Sequence, residues 1–150
     1  MNKLEPIPQK LIAPCGMNCA ICSRYLSYVN GLARSQCIGC RARNQRCAYI
    51  FGKCTGINHT SKGDAAYCFE CNQYPCKEIL RVDKRYRSNY QMSIMDNLEC
   101  IRKIGISGFI KEQYDKYRCL RCGGLLSIHN RKCFKCEPIK RLVEKSNKKY

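Results

Sequence analysis

Apolar positions recur at helical spacing in three stretches of this chain and lose any period between them. Cys22, Tyr25, Leu26 and Val29 repeat at intervals of three and four, with Asn18 placed to cap the segment and Asn30-Gly31 to stop it. Ile94, Met95, Leu98, Ile101 and Ile104 form a second stripe. Ser93, with Asp96 three residues on, opens it in a near capping box, and Gly105 closes it. Ser107 is placed to cap a third helix carrying Phe109, Ile110, Tyr114 and Tyr117. Pro75 can begin a shorter helix through Leu80, after which Arg81 to Arg87 reads as a basic link. Residues 32–76 are rich in Gly and polar breakers and follow no period, so something other than an apolar core must organise them.

Cysteine supplies that organiser. Fifteen cysteines occur in 150 residues, many as Cys-x2-Cys pairs: Cys37/Cys40, Cys68/Cys71, Cys119/Cys122 and Cys133/Cys136. A tight turn between two thiolates points both sulfurs at one ion, so repeated pairs imply tetrahedral sulfur sites, most often zinc. An odd count, together with a polar, proline-broken start from Met1 to Lys10 that has no signal-peptide pattern, disfavours a disulfide framework and predicts a cytoplasmic protein. No apolar run approaches the roughly 18–20 residues that span a membrane.

The quartet Cys119, Cys122, Cys133 and Cys136 has two knuckles separated by ten residues, and Gly123-Gly124 follows the first, which predicts a zinc ribbon. His129 lies between the knuckles and reads as a surface histidine. Cys19, Cys22, Cys37 and Cys40 make a natural second quartet, and Cys47, Cys54, Cys68 and Cys71 a third. Cys15 and Cys76 sit close enough to substitute, so the grouping within 15–76 stays open. About three zinc ions are expected. Cys100, alone in a helix, reads as an ordinary thiol. The spacing Cys15-x3-Cys19-x2-Cys22 equals the cluster signature of radical enzymes, but the alternating strand–helix pattern of their barrel is missing. One ordinary [4Fe–4S] cluster in the N-terminal half, completed by a residue such as Cys76, is the alternative cofactor.

The formal charge is +17, and three four-thiolate zinc sites would lower it to about +11. Part of the excess can simply offset thiolate charge. The remainder favours a polyanionic partner, RNA, DNA or a ribonucleoprotein. The candidate contacts are Arg41, Arg43 and Arg46, then Lys77, Arg81, Lys84, Arg85 and Arg87, with Tyr86 and Tyr90 nearby to stack on bases. Hydrolysis at an open zinc is disfavoured, because only His59 and His129 are present and four-thiolate sites are closed. The reading is therefore more non-enzymatic than enzymatic, and oligomeric state is not legible.

The order Ala13-Pro14-Cys15-Gly16-Met17-Asn18-Cys19-x2-Cys22, Cys37-x-Gly39-Cys40-Arg41 and Cys68-Phe69-Glu70-Cys71-x3-Pro75-Cys76 resembles the prokaryotic cysteine-rich "domain of unknown function 3795" family. The later residues Arg85-Tyr86-Arg87, Tyr90, Met92-Ser93, Asn97-Leu98, Ile104-Gly105 and the Cys-x2-Cys-Gly-Gly turn are similar too. The resemblance implies a cytosolic metal-binding protein of bacteria or archaea, without implying an activity. The expected organisation is a flexible 1–10, a Cys-rich metal-binding region 11–80, a basic link and helical pair 81–118, a zinc ribbon 119–137 and a basic tail 138–150. The fold class expected is a small, irregular, metal-stabilised α+β protein with four-cysteine knuckles and two or three short helices.

Overall fold

A computed structural model of the chain describes residues 6–32, 37–43 and 66–136, with the side chains of 42 and 43 left aside. Cys47, Cys54, His59, Arg46 and the basic tail, all singled out by sequence, lie outside the described residues. Three helices longer than one turn dominate the described part: α1 (Ser23–Val29), α3 (Lys77–Tyr90) and α4 (Ile94–Tyr117). The single turn α2 (Cys40–Arg43) lies between α1 and α3. Strand pairing among the described residues is limited to three isolated bridges, Ile12 with Asn18, Arg118 with Leu125 and Leu126 with Cys133. The β component expected from sequence is thus reduced to these contacts.

The cap signals act much as their chemistry dictates. Asn18 is fully buried, and its Oδ1 accepts the Ala20 N–H at 3.0 Å, capping a 3-10 turn over Cys19–Ile21 that leads into α1. α1 stops at Asn30 and Gly31, the latter in the left-handed region at φ +71°. Ser93 caps α4 by accepting the Asp96 N–H at 3.0 Å. Gly105, at φ +80°, interrupts α4 where the sequence placed the end of one helix.

One stretch differs. Arg81 to Arg87, expected as a link, lies within α3, because Ile79, Val82, Asp83 and Tyr86 fall on one buried face. α3 ends at Gln91, whose N–H donates to the Tyr86 carbonyl and whose positive φ brings the Met92 N–H to the same oxygen at 3.3 Å. Asp83 then ties α3 to α4, accepting from the Ser93 hydroxyl at 2.6 Å and the Met95 N–H at 3.0 Å.

The core forms where α3 and α4 meet the N-terminal segment. Ile7, Ile12, Ile21, Ile79, Ile94, Phe109, Ile110, Tyr117 and Ile128 are buried together. Each such side chain contributes about 1.5–3 kcal/mol. Asn18 and Gln113 cross this core side by side, the Asn18 amide donating to Gln113 Oε1 at 3.2 Å. Gly16 explains part of the N-terminal motif. A Cβ there would stand 2.6 Å from the Ile94 carbonyl oxygen and 2.9 Å from Leu98 Cγ, so only glycine allows the cysteine loop to touch α4.

Candidate metal centre

Tyr117 ends α4, and the chain turns back on itself at once. The Leu126 N–H donates to the Tyr117 carbonyl at 2.7 Å, and the Gly123 N–H to the Cys119 carbonyl at 2.8 Å. Gly123 holds φ +75°, the conformation the turn after the first knuckle requires. The outcome is that Cys119, Cys122, Cys133 and Cys136 bring their sulfurs within 4.8 Å of one another.

The separations are informative. Cys119 and Cys136 Sγ stand 3.9 Å apart, and Cys122 and Cys133 Sγ 3.6 Å. A tetrahedral ion with metal–sulfur bonds of about 2.3 Å sets its sulfurs about 3.8 Å apart. Four converging soft donors at that spacing suit zinc or iron. The Cys119 thiol is drawn down to about 7, first by the backbone N–H groups of Cys122 and Arg121, as at the start of a metal knuckle. The neighbouring thiols, Cys122 first, push Cys136 up to about 12. One thiolate is favoured by the backbone, therefore, and the full set needs a cation before all four protons leave.

The module is fastened to the body from one side. Ile128 donates its N–H to the Ile21 carbonyl at 2.9 Å, and Phe134 of the second knuckle packs with Leu26 of α1. His129 corrects the expectation of a surface histidine. It sits between the start of α1 and α3, with Nδ1 accepting the Ser23 N–H and the Tyr86 and Tyr90 rings edge-on to it. Burial first, then the charge of Arg85, lowers its pKa to about 4, so the ring is neutral.

The N-terminal cysteines share one core without converging to the same degree. Cys15 and Cys19 are buried, and Cys22, Cys40, Cys68 and Cys76 pack against the same cluster. The Cys68 N–H donates to the Pro14 carbonyl at 2.8 Å, bringing the Cys68 turn beside Cys15. A Cβ on Gly39 would lie 3.8 Å from Cys19 Sγ, which places the Cys37/Cys40 turn over Cys19. Cys71 follows the turn begun by Cys68, and Cys76 precedes the first residue of α3. Among the described residues, the C-terminal quartet is the only set of three or more Cys, His, Asp or Glu side chains whose ligand atoms meet this closely. No disulfide joins the described cysteines.

The basic residues divide by what holds them. Arg41 is built into the fold: Nε donates to the Ile12 carbonyl at 2.9 Å, Nη2 to the Ala66 carbonyl, and the guanidinium lies 4.9 Å from the Tyr67 ring centre. Arg81 pairs with Glu78 at 2.7 Å, and Arg87 with Asp83 at 2.6 Å and Asp96 at 3.3 Å. Lys77, Lys84 and Arg85 are exposed on α3. Tyr86 is buried with its hydroxyl against His129, so it offers no face to a base, and Tyr90 is half-buried with its ring against the same histidine. Arg43 and Arg46 add nothing here, their side chains lying outside the description.

Among the described residues no helix is long and apolar enough to cross a membrane. A family model described as "Protein of unknown function (DUF3795)" matches residues 11–81, which takes in the N-terminal cysteines and the first part of α3. Neither the curated proteins nor the solved structures gave a match.

Proposed function

From the match of residues 11–81 to the DUF3795 family of unknown function, we propose that the chain is a member of that family and a zinc-binding, non-enzymatic protein that docks on nucleic acid or a ribonucleoprotein. The observation that carries the metal reading is the sulfur geometry of Cys119, Cys122, Cys133 and Cys136, with separations of 3.6 and 3.9 Å. Four protein sulfurs fill a tetrahedral ion, leaving no position for water or substrate, so the centre is structural. On this reading residues 119–137 form a zinc ribbon, and the N-terminal cysteines hold further zinc. The charge of +17 supports a polyanionic partner, because thiolate–metal centres offset only part of it.

Elemental analysis of protein purified without oxygen tests the metal. Zinc in a colourless preparation is expected, with at least one equivalent lost when the C-terminal quartet is mutated. Nucleic-acid binding at about 50 mM salt tests the partner, and its absence there would remove the docking reading.

A second reading has an observation behind it. Cys15 and Cys19 are buried, with Cys22 and Cys76 against the same core, an environment that shields an iron–sulfur cluster from water. Iron, a brown colour and absorbance near about 400 nm would establish it in place of zinc there.

A further inference from the structure

We propose that the docking surface is the outer face of the C-terminal cysteine module around Leu120, and that its ligand is single-stranded nucleic acid. The inference rests on the docking reading above and moves the contact away from the α3 residues that sequence favours. Between residues 116 and 136 the chain carries Lys116, Arg118, Arg121, Arg131, Lys132 and Lys135 and no acid. A four-thiolate zinc there would leave about +4 on this short stretch.

The cations differ in how they are held. On α3, Arg81 and Arg87 pair with Glu78, Asp83 and Asp96, while Lys77, Lys84 and Arg85 stay exposed with no large apolar side chain standing out as far as Leu120 beside them. In the module, Arg131 is anchored to the Tyr90 carbonyl at 3.1 Å, and Lys116 lies by the Tyr117 ring. Arg118, Arg121, Lys132 and Lys135 are exposed. Among the described residues, the ion pairs formed by α3 and α4 include none of these four.

The two knuckles also use their apolar residue in opposite ways. Phe134, after Cys133, is 7% exposed and packs with Leu26 of α1. Leu120, after Cys119, is 91% exposed, and no other large apolar side chain among the described residues stands so far out. Arg118 and Arg121 flank it in sequence, and Lys135 reaches the same turn, its Cδ lying 3.5 Å from where a Cβ on Gly124 would be. A protruding apolar side chain beside cations that pair with no carboxylate among the described residues fits an anion that also offers flat apolar faces. Single-stranded nucleic acid does so: its phosphates meet the cations, and its unstacked bases meet Leu120 at no unstacking cost.

The test uses the full chain loaded with zinc and a labelled single strand of about 12 nucleotides, read by fluorescence anisotropy across a salt series. Four phosphate contacts predict a slope of log affinity on log salt of about −3. R121E/K135E should weaken binding at least about tenfold at low salt and roughly halve that slope, and L120A should weaken it several-fold with the slope unchanged. Zinc content and circular dichroism equal to the parent's show that these variants are folded. If K77E/K84E abolishes binding while R121E/K135E does not, docking stands and this location is wrong. A duplex with as many phosphates bound more tightly than the single strand would overturn the choice of ligand. No binding by the parent protein would remove docking altogether.

Discussion

His129 Nδ1 accepts the backbone N–H of Ser23 at 3.2 Å, joining the loop between the C-terminal knuckles to the first turn of α1. Because Nδ1 is the acceptor, the ring proton sits on Nε2 and faces the Tyr86 hydroxyl at 3.1 Å. One imidazole thus connects the cysteine module, the helix after Cys22, and α3. Its neutrality has a consequence for acid stability. The folded pKa is about 4, below the ordinary value near 6.5, so the unfolded chain takes up a proton first as pH falls. The stabilisation is complete above about pH 6.5 and disappears towards pH 4, amounting to at most about 3 kcal/mol. Urea unfolding at several pH values should show this slope in the parent chain and a flatter one in H129Q. Acid release of metal affects both proteins alike, so their difference isolates the histidine.

Gly16 and Gly31 both hold positive φ, but their surroundings differ. A Cβ on Gly16 meets the Ile94 carbonyl and Leu98, whereas one on Gly31 meets nothing within 4 Å. Gly31→Ala should cost about 1 kcal/mol, the backbone penalty alone. Gly16→Ala should cost several times more, because the cysteine loop must lift off α4. Thermal melts of the two variants compare them directly, and equal losses would contradict the close approach.

Asp83 is the polar joint between α3 and α4. Burial alone would raise its pKa, but hydrogen bonds from Ser93, Arg87 and the Met95 N–H outweigh it and hold the carboxyl below the usual range. Its contribution is therefore present above the ordinary carboxylate pKa and lost as pH falls through the lower folded value. D83A should destabilise by about 1–3 kcal/mol, since the Ser93 hydroxyl and the Met95 N–H lose their acceptor. D96A removes an exposed partner of Arg87 and should cost less than about 1 kcal/mol.

Removing the metal should loosen the C-terminal module first. C119S or C133S is expected to lose one equivalent of zinc and several kcal/mol of stability, with the largest change in amide exchange at residues 118–136. Loss would then spread to α1 through Ile128, His129 and Phe134. Unchanged exchange at Ser23 in these variants would show that the module is not coupled to α1.

Cys100 should resist alkylation. Burial first, then its hydrogen bond to Glu112 at 3.2 Å, pushes its thiol up to about 11. In metal-loaded protein at neutral pH its labelling should be slow, and faster in E112Q. Mass spectrometry of the labelled peptide measures both rates.

By itself the sequence determined the start of the helix at Ser93, the break at Gly105 and the capping role of Asn18, which closes the 3-10 turn ahead of α1, because these signals act over two to four residues. It determined the C-terminal quartet too, since two tight turns joined by ten residues have few other ways to arrange four sulfurs. It identified the family segment through the same short spacings. Only the tertiary structure decided matters that depend on distant neighbours. Residues 81–87 read as a link until the face of Ile79, Val82 and Tyr86 met the core and made them helical. His129 looked exposed until α1 and α3 closed around it. The cations of the chain looked alike until carboxylates brought close by folding paired with Arg81 and Arg87 of α3, whereas Arg118, Arg121, Lys132 and Lys135 enter no ion pair among the described residues. Charge and spacing are written locally, whereas burial and pairing exist only once the chain has folded.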